Sequence, residues 1–470
     1  MSAAGAALLA LALSVTVLAL PATAASAAAR FSCPPGARPV LFNFGDSNSD
    51  TGGMAAAMGW NLTRPEGRAF FSHPTGRFCD GRLTIDFLCE STASPFHSSP
   101  PYCPQSNTLQ YPSLHLFSAT FFFLPHEWAC IFLHATRNHS GETYGRQGLA
   151  GTGACSPADE GSRVWAPGRG SQARAGLVGA GGGARAHGRG ESLNISYLSP
   201  YLKALGSNYS NGANFAIAGA ATLPRDVRFA LHIQVQQFLY FRDRSLELIS
   251  QGLSGPIDAQ GFQNALYIID IGQNDVNALL DNFPYDQVLA KFPPILAEIK
   301  DAVQTLYNGS RNFWIHGTGA LGCLPQKLAI PRKNDSDLDQ YGCLKTYNRA
   351  AVTFNAALGS LCDQLSTQME DAMIVYTDLF PIKYDLVANH TKYGFNNPLM
   401  TCCGHGGPPY NYDFNKGCQS PGVTACDNGS KFVNWDGVHL TQAANAAVAA
   451  RILSSQYSKP QLKFDKFCRV

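Results

Sequence analysis

The sequence predicts a three-layer α/β/α sandwich around a central parallel sheet of about five strands. Short apolar runs of strand character recur at residues 40–44, 265–271, 312–317 and 372–376. The run from residue 265 is nearly continuous in apolar residues, as suits a strand buried on both faces. Helical patterns at 227–249, 285–307 and 344–369 space the runs, and strands alternating with helices build parallel sheets with right-handed crossovers. Two of the runs also end in Gly followed by polar residues, which places polar groups where open α/β sheets bind ligands, outside the carboxyl ends of the strands.

The first run stops at Gly45, and Asp46 and Ser47 follow it. A strand ending in a tight turn lifts a serine hydroxyl clear of the sheet, and Ser49, Asp50 and Thr51 can each cap a helix start just beyond. A serine hydroxyl needs a base and an oxyanion site to act as a nucleophile. Gly-Asp-Ser is also a common turn tripeptide, and Gly-Asp-Ser-Asn-Ser is not the G-x-S-x-G elbow of α/β-hydrolases. Its meaning therefore depends on what the rest of the chain supplies. Between residues 70 and 90, Pro74 and Gly76 make a turn, and Leu83, Ile85, Phe87 and Leu88 form the apolar face of a short helix. His73 reads as a loop histidine.

Further along, residues 212–221 run from a short strand into a small-residue turn, where backbone can approach a ligand closely. Close packing alone would also account for them, and Gly212 and Gly219 both remain candidates for a functional glycine. The run from Ala265 ends in Gly272-Gln273-Asn274-Asp275, where Asn is commonly a turn or cap residue. His316 closes the next run, but no acid stands at a fixed offset from it, so it reads as structural. Near the C-terminus, Asp436 precedes His439 by three residues, just before an alanine-rich helix with Thr441 as its cap. An Asp so placed can fold back onto one imidazole nitrogen, fix the tautomer and leave the other nitrogen free as a base. No other histidine, including His73, His316 and His405, shares that spacing in a matching motif.

Taken together, these segments resemble the ordered motif blocks of the GDSL esterases/lipases of the SGNH hydrolase superfamily, and most closely those of the secreted plant enzymes. The likeness spans almost the whole chain outside residues 92–191. It implies an SGNH hydrolase (flavodoxin-like) fold and a carboxylic ester hydrolase. Ser47 is then the nucleophile, His439 the base and Asp436 its partner. The oxyanion hole comprises the amide of Ser47, that of Gly219 in the place of the family's glycine, and the side chain of Asn274, with Asp275 holding the turn. The substrate is a small-molecule, lipid or acylated-sugar ester, cleaved through an acyl-enzyme without metal or organic cofactor. An acyltransferase using the same intermediate and a non-catalytic cell-wall binding protein on the same fold are the alternatives. Some plant relatives have been described as fucosidases, but a carboxylate pair of recognisable context is missing here.

Composition and processing signals agree with secretion. A chain of 470 residues, 45% hydrophobic and with net charge +2, is long enough for a large core and gives no electrostatic case for nucleic acid or a membrane surface. Residues 3–20 are apolar and run into small residues of A-x-A type, so residues 1–27 read as a signal peptide, with an uncleaved anchor as the alternative. Fourteen cysteines, with Cys402, Cys403, Cys418 and Cys426 clustered late, fit disulfides better than zinc, whose usual ligand spacings do not recur. Sequons at Asn61, Asn138, Asn194, Asn208, Asn308, Asn334, Asn389 and Asn428 point to an N-glycosylated protein outside the cell, in the apoplast or wall.

Residues 28–470 then form one hydrolase domain, interrupted at 92–191. There the character shifts to Pro/Ser-rich, then apolar, then Gly/Arg/Ala-rich sequence with no sustained period. The apolar piece at 114–135 carries Pro125, His126 and Glu127 at its middle, which argues against a membrane span. Glu90-Ser91 before the segment repeats as Glu191-Ser192 at its end. Removing one copy joins the short helix directly to Leu198-Ser199-Pro200-Tyr201-Leu202, as in the plant family. The segment is therefore expected to be retained intron or a gene-model artefact.

Overall fold

The computed structural model describes residues 39–89, 197–224, 228–332, 334–462 and Phe467. The expected signal peptide and the whole of residues 92–191 lie outside these. Among the described residues there are eight strands: β1 (Leu41–Gly45), β2 (Gly212–Asn214), β3 (Leu266–Asp270), β4 (Asn312–His316), β5 (Met373–Thr377), β6 (Cys403–Gly404), β7 (Thr424–Ala425) and β8 (Ser458–Lys459). Six of them make the main sheet, in the order β2-β1-β3-β4-β5-β8, and the other two a small hairpin. The five expected strands pair in parallel, while β8 runs antiparallel on the edge of β5, with Tyr376 opposite Lys459 and Thr377 opposite Ser458. The sheet is thus mixed, not purely parallel, because a two-residue edge strand adds itself beyond the α/β core.

Eleven α-helices among the described residues accompany the sheet. They are α1 (Gly53–Met58), α2 (Thr84–Cys89), α3 (Leu231–Ser250), α4 (Ala259–Asn264), α5 (Gln273–Asn282), α6 (Tyr285–Leu289), α7 (Phe292–Tyr307), α8 (Pro325–Leu328), α9 (Lys345–Gln368), α10 (Leu379–Ala388) and α11 (Gln442–Leu453). The helical pattern at 285–307 resolves into two helices, α6 and α7. Pro293 and Pro294 lack the amide hydrogens that a helix interior uses, so a new helix begins there, with proline in its first turn.

Two cores make the three layers. Phe42, Phe44, Tyr267, Ile269, Phe313 and Ile315 pack on one face against α3, α7 and α9 through residues such as Phe238, Val303 and Phe354. Ile268, Trp314 and Val375 point to the other face, against Leu88 of α2, Ile382 of α10 and Val448 of α11. Side chains alternate across a strand, so burying both sets requires apolar residues at consecutive positions. That is why the strands read as runs. The last residues of β1, β3, β4 and β5 stand in register, Gly45 beside Asp270, Asp270 beside His316 and His316 beside Thr377, and the motifs gather around this carboxyl edge.

Candidate active site

At the end of β1 a side chain joins the backbone hydrogen bonds, since the Gly45 carbonyl also accepts from the Ile217 amide (3.1 Å). Gln234 of α3, fully buried, accepts from the Gly45 amide (2.9 Å) and donates to the Gly45 carbonyl (2.8 Å). The chain then turns through Asp46, whose Oδ1 accepts from the backbone and side-chain nitrogens of Asn48, both at 2.9 Å. Ser47 sits within this turn and is 6% exposed. Of the three possible capping residues, Asp50 gathers the amides of the first helical turn, accepting from Gly52, Gly53 and Met54. Its carboxylate also accepts from the Ala218 amide at 2.8 Å, tying the serine turn to the small-residue turn. Burial pushes the Asp50 carboxyl up in spite of these four amides.

Asn214, at the end of β2, makes a second tie. Its Nδ2 donates to the Ser49 carbonyl (2.7 Å) and to Thr51 Oγ1 (2.9 Å), while its Oδ1 accepts from Asn43 (2.8 Å) and from the Ala216 amide (3.0 Å). A third comes from Arg77, which forms a two-pronged buried pair with Asp86 of α2 (2.8 and 2.6 Å) and donates to the Thr51 carbonyl. A buried guanidinium is stable only with such geometry, so breaking the pair would leave an uncompensated charge.

Geometry separates the two candidate glycines. Gly212 (φ +108°) lies against the start of β1, where an added Cβ would stand 1.8 Å from the Leu41 carbonyl oxygen. It is a packing glycine at the far end of the sheet. Gly219 (φ +77°) has nothing within 4 Å of where its Cβ would be and is exposed, in a run whose neighbours are buried. The left-handed backbone there favours glycine, and the open space leaves room for a ligand.

Asn274 lies in the first turn of α5, next to this loop. Its side-chain amide donates to the Ala220 carbonyl at 2.9 Å, which orients the group and leaves its second hydrogen outside that bond. Asp275 accepts from the backbone amide (2.9 Å) and hydroxyl (2.8 Å) of Thr222. It therefore holds a turn, but the one that follows Gly219 and not its own. Burial raises the Asp275 carboxyl despite those bonds.

The Asp436–His439 turn closes on itself. Asp436 Oδ1 accepts from the amides of Val438 (3.0 Å) and His439 (2.8 Å), and Oδ2 lies 2.6 Å from His439 Nδ1. Nδ1–H therefore faces the carboxylate, and Nε2 is buried with no hydrogen-bond partner among the described residues. That leaves its lone pair for an incoming proton. Burial alone would raise the Asp436 carboxyl, but the imidazole and the two amides outweigh it and hold it low. For His439, burial would lower the imidazole, but the Asp436 carboxylate wins and raises it above 6.5, with Asp46 adding to the rise. Asp46 itself is pushed up to about 6, by burial and by the neighbouring Asp270.

Disulfides brace this turn. Cys402–Cys426 and Cys403–Cys418 enclose the buried Trp435, and Cys402 and Cys403 donate their amides to the carbonyls of Asn434 (3.0 Å) and Trp435 (2.6 Å). The late cysteine cluster is thus a clamp on the histidine turn. A third bridge joins Cys323 to Cys343. Thr441 caps α11 as expected, accepting from the Ala444 amide. Asp80 and Asn445 then dock the start of that helix on the 79–84 loop, through the Gln442 amide (2.6 Å) and Thr84 Oγ1 (3.0 Å).

His439 is not alone in having an acidic neighbour. The sequence offered His316 no acid, but Asp270 stands beside it on the adjacent strand, with Nδ1 and Oδ2 3.8 Å apart. His405, half-buried, lies 3.4 Å from Asp413. His73 is exposed and contacts the Phe71 carbonyl. Distance distinguishes them: 3.8 Å is beyond hydrogen-bond range and 3.4 Å is long, whereas 2.6 Å is a short charge-assisted bond.

A family model described as GDSL-like Lipase/Acylhydrolase matches residues 168–452, a stretch that holds Gly219, Asn274, Asp436 and His439. Ser47 lies upstream of it. The Arabidopsis thaliana protein GDSL esterase/lipase LIP-4 is 42% identical over 92% of this chain and 90% of its own length. The maize protein GDSL esterase/lipase ACHE is 31% identical over 92% of this chain and 89% of its own. Another Arabidopsis relative, at 31% identity over 88% of this chain and 90% of its own, is named Alpha-L-fucosidase 3.

Proposed function

We propose, from the premise that this chain belongs to the GDSL-like lipase/acylhydrolase family and is a serine esterase/lipase of carboxylic esters, that Ser47 is its nucleophile and Asp436–His439 the dyad that activates it. The observation that carries the reading is the buried, unpartnered Nε2 of a histidine whose Nδ1 is fixed on Asp436 at 2.6 Å. His439 Nε2 takes the Ser47 proton as Oγ attacks the ester carbonyl, then gives it to the departing alcohol. The amides of Ser47 and Gly219 and the Asn274 side chain donate to the oxyanion. Water, deprotonated by His439, releases the acid and restores Ser47. Each step moves a proton between Oγ, Nε2 and the alcohol or water, and none requires a metal or an organic cofactor.

Purified protein should hydrolyse p-nitrophenyl and acetylated-sugar esters with release of free acid. Recovery of the acyl group on an added polyol in place of water would make it an acyltransferase, and no ester turnover at all would contradict the reading. Asn274→Ala should lower kcat by a factor on the order of 10²–10³, the usual loss for one oxyanion donor. Steady-state kinetics check this, because a change confined to KM would make Asn274 a substrate-binding residue instead.

Secretion and glycosylation belong to the same reading. Three disulfides among the described residues suit an oxidising compartment, and every described sequon asparagine, Asn61, Asn208, Asn308, Asn334, Asn389 and Asn428, is at least partly exposed. No helix among the described residues is long and apolar enough to cross a membrane. Residues 92–191 are read as retained intron or a gene-model artefact, and a tryptic peptide from within them in the mature protein would overturn that.

A further inference from the structure

An open apolar groove of about 480 Å³ lies between the loop that leads into β2 and the second half of α3. Tyr201 and Tyr209 of the loop line it, with Tyr240, Phe241 and Leu248 of the helix. Tyr209 packs edge-on against Phe241, with ring centroids 5.6 Å apart. Its hydroxyl is tied to the carbonyls of Pro200, Tyr201 and Lys203 at 3.2, 3.1 and 3.1 Å. The wall is thus held in place, yet Tyr240 stays 67% exposed. Aromatic surface left open to water in this way marks a place that something covers. The loop precedes Gly212, which stands beside Leu41 at the start of β1, so the groove lies toward the amino end of the sheet. Ser47 and Asn274 follow the carboxyl ends of β1 and β3, and the groove is therefore not where an ester reacts.

Asn208 also lines the groove, and it begins the sequon Asn208-Tyr209-Ser210. The asparagine is exposed, and its Oδ1 accepts from the Ser210 amide at 3.0 Å in an Asx turn. We infer that the N-glycan on Asn208 lies over this groove, so that its first sugars cover the apolar surface the chain leaves open. The inference rests on the glycosylation reading above. A pyranose carries C–H groups on its faces and hydroxyls around its rim. The C–H face suits the negative face of an aromatic ring, and the acetamido methyl of an N-acetylglucosamine suits an apolar wall. A sugar rooted in the wall itself is kept there at high effective concentration by a single linkage. A second copy of the chain would have to dock where that glycan is attached.

The test uses protein secreted from plant cells, with glycopeptide mapping to show the occupancy of Asn208. Ser210→Ala removes the sequon but keeps Asn208 and the backbone amide it accepts from. Ser336→Ala is the matched control, because Asn334 accepts from the Ser336 amide at 3.0 Å in the same way and does not line the groove. Ser210→Ala should lower the melting temperature by about 2–4 °C and raise the fluorescence of a bound hydrophobic dye several-fold. Ser336→Ala should change neither. Tyr240→Ser should lower the melting temperature of the glycosylated protein but not that of Ser210→Ala, a coupling expected only if sugar rests on that ring. Should Ser210→Ala not be secreted, folded wild type and Tyr240→Ser are stripped of glycan enzymatically. The wild type should then lose more of its melting temperature than the variant. An occupied Asn208 without these shifts or this coupling overturns the covering role and leaves the glycosylation reading intact. A wild-type dimer that dissociates in Tyr240→Ser overturns it in favour of a second copy. A bare Asn208 in the secreted protein overturns glycosylation of this sequon and the inference with it.

Discussion

Ser47→Ala is expected to reduce ester turnover to no more than a few per cent of the wild type while leaving the fold intact. The hydroxyl lost is small and buried, and among the described residues no hydrogen bond that supports the turn passes through it. That support comes from Asp46 to Asn48, Asp50 to the helical amides and Ala218, and Asn214 to Ser49 and Thr51. The melting temperature should therefore stay within a degree or two, since substitutions away from such features rarely exceed about 0.5 kcal/mol. Chemistry should collapse because neither His439 nor the oxyanion donors can form an acyl-enzyme without an oxygen to attack. Catalysis by the remaining groups falls far below that of the intact set, which acts as a unit. Ester kinetics together with a thermal melt check both halves of the expectation.

Asp436→Asn should cost on the order of 10⁴ in kcat, the loss expected when the partner of a catalytic histidine no longer accepts from its ring. An asparagine can offer an NH₂ to Nδ1, which would place the ring proton on Nε2 and remove the base. The pH dependence gives an independent reading. If His439 is the base, it must be neutral to take the serine proton, so kcat/KM of the wild type should rise with pH through an imidazole ionisation held above 6.5. Burial opposes that elevation and the Asp436 carboxylate produces it. Removing the carboxylate charge takes away the main opposition to burial, so the imidazolium is destabilised and the rising limb moves to lower pH. Asp46, pushed up to about 6, ionises just below this range and still favours the charged ring, which limits the displacement. A pH–rate profile of both proteins measures the shift. An unchanged limb in Asp436→Asn would mean that Asp436 does not partner the base.

Local chemistry was legible in the sequence where short-range rules decide the outcome. Apolar runs marked four of the five parallel strands because burial on both faces leaves few polar positions. Thr441 announced its helix start, and the three-residue spacing of Asp436 and His439 announced a bond that one turn of chain can close. The break between α6 and α7 was also written in Pro293 and Pro294, though the apolar period ran through it. Features carried by pairing across the fold were not legible. Gln234 hydrogen-bonds both backbone groups of Gly45 from 189 positions away, and Asn214 reaches the serine turn from a strand far along the chain. Neither has a local signal beyond being a polar residue in an apolar pattern. Asp270 could be matched to His316 only once the strand order and register were known. The edge strand β8 is two residues long and has no period to detect. Gly219 and Gly212 were indistinguishable as letters, and only the space around each separates them.

The central claim, that Ser47 is activated by His439 on Asp436, is tested most directly by covalent capture with a fluorophosphonate. The serine oxygen displaces fluoride and forms an oxygen–phosphorus bond, with the released proton taken by the base. Peptide mapping of the treated protein should show one adduct, on Ser47. Labelling should vanish in Ser47→Ala and slow greatly in His439→Ala, although both variants remain folded. An adduct on a different serine, or labelling of Ser47 at the same rate without His439, would contradict the account.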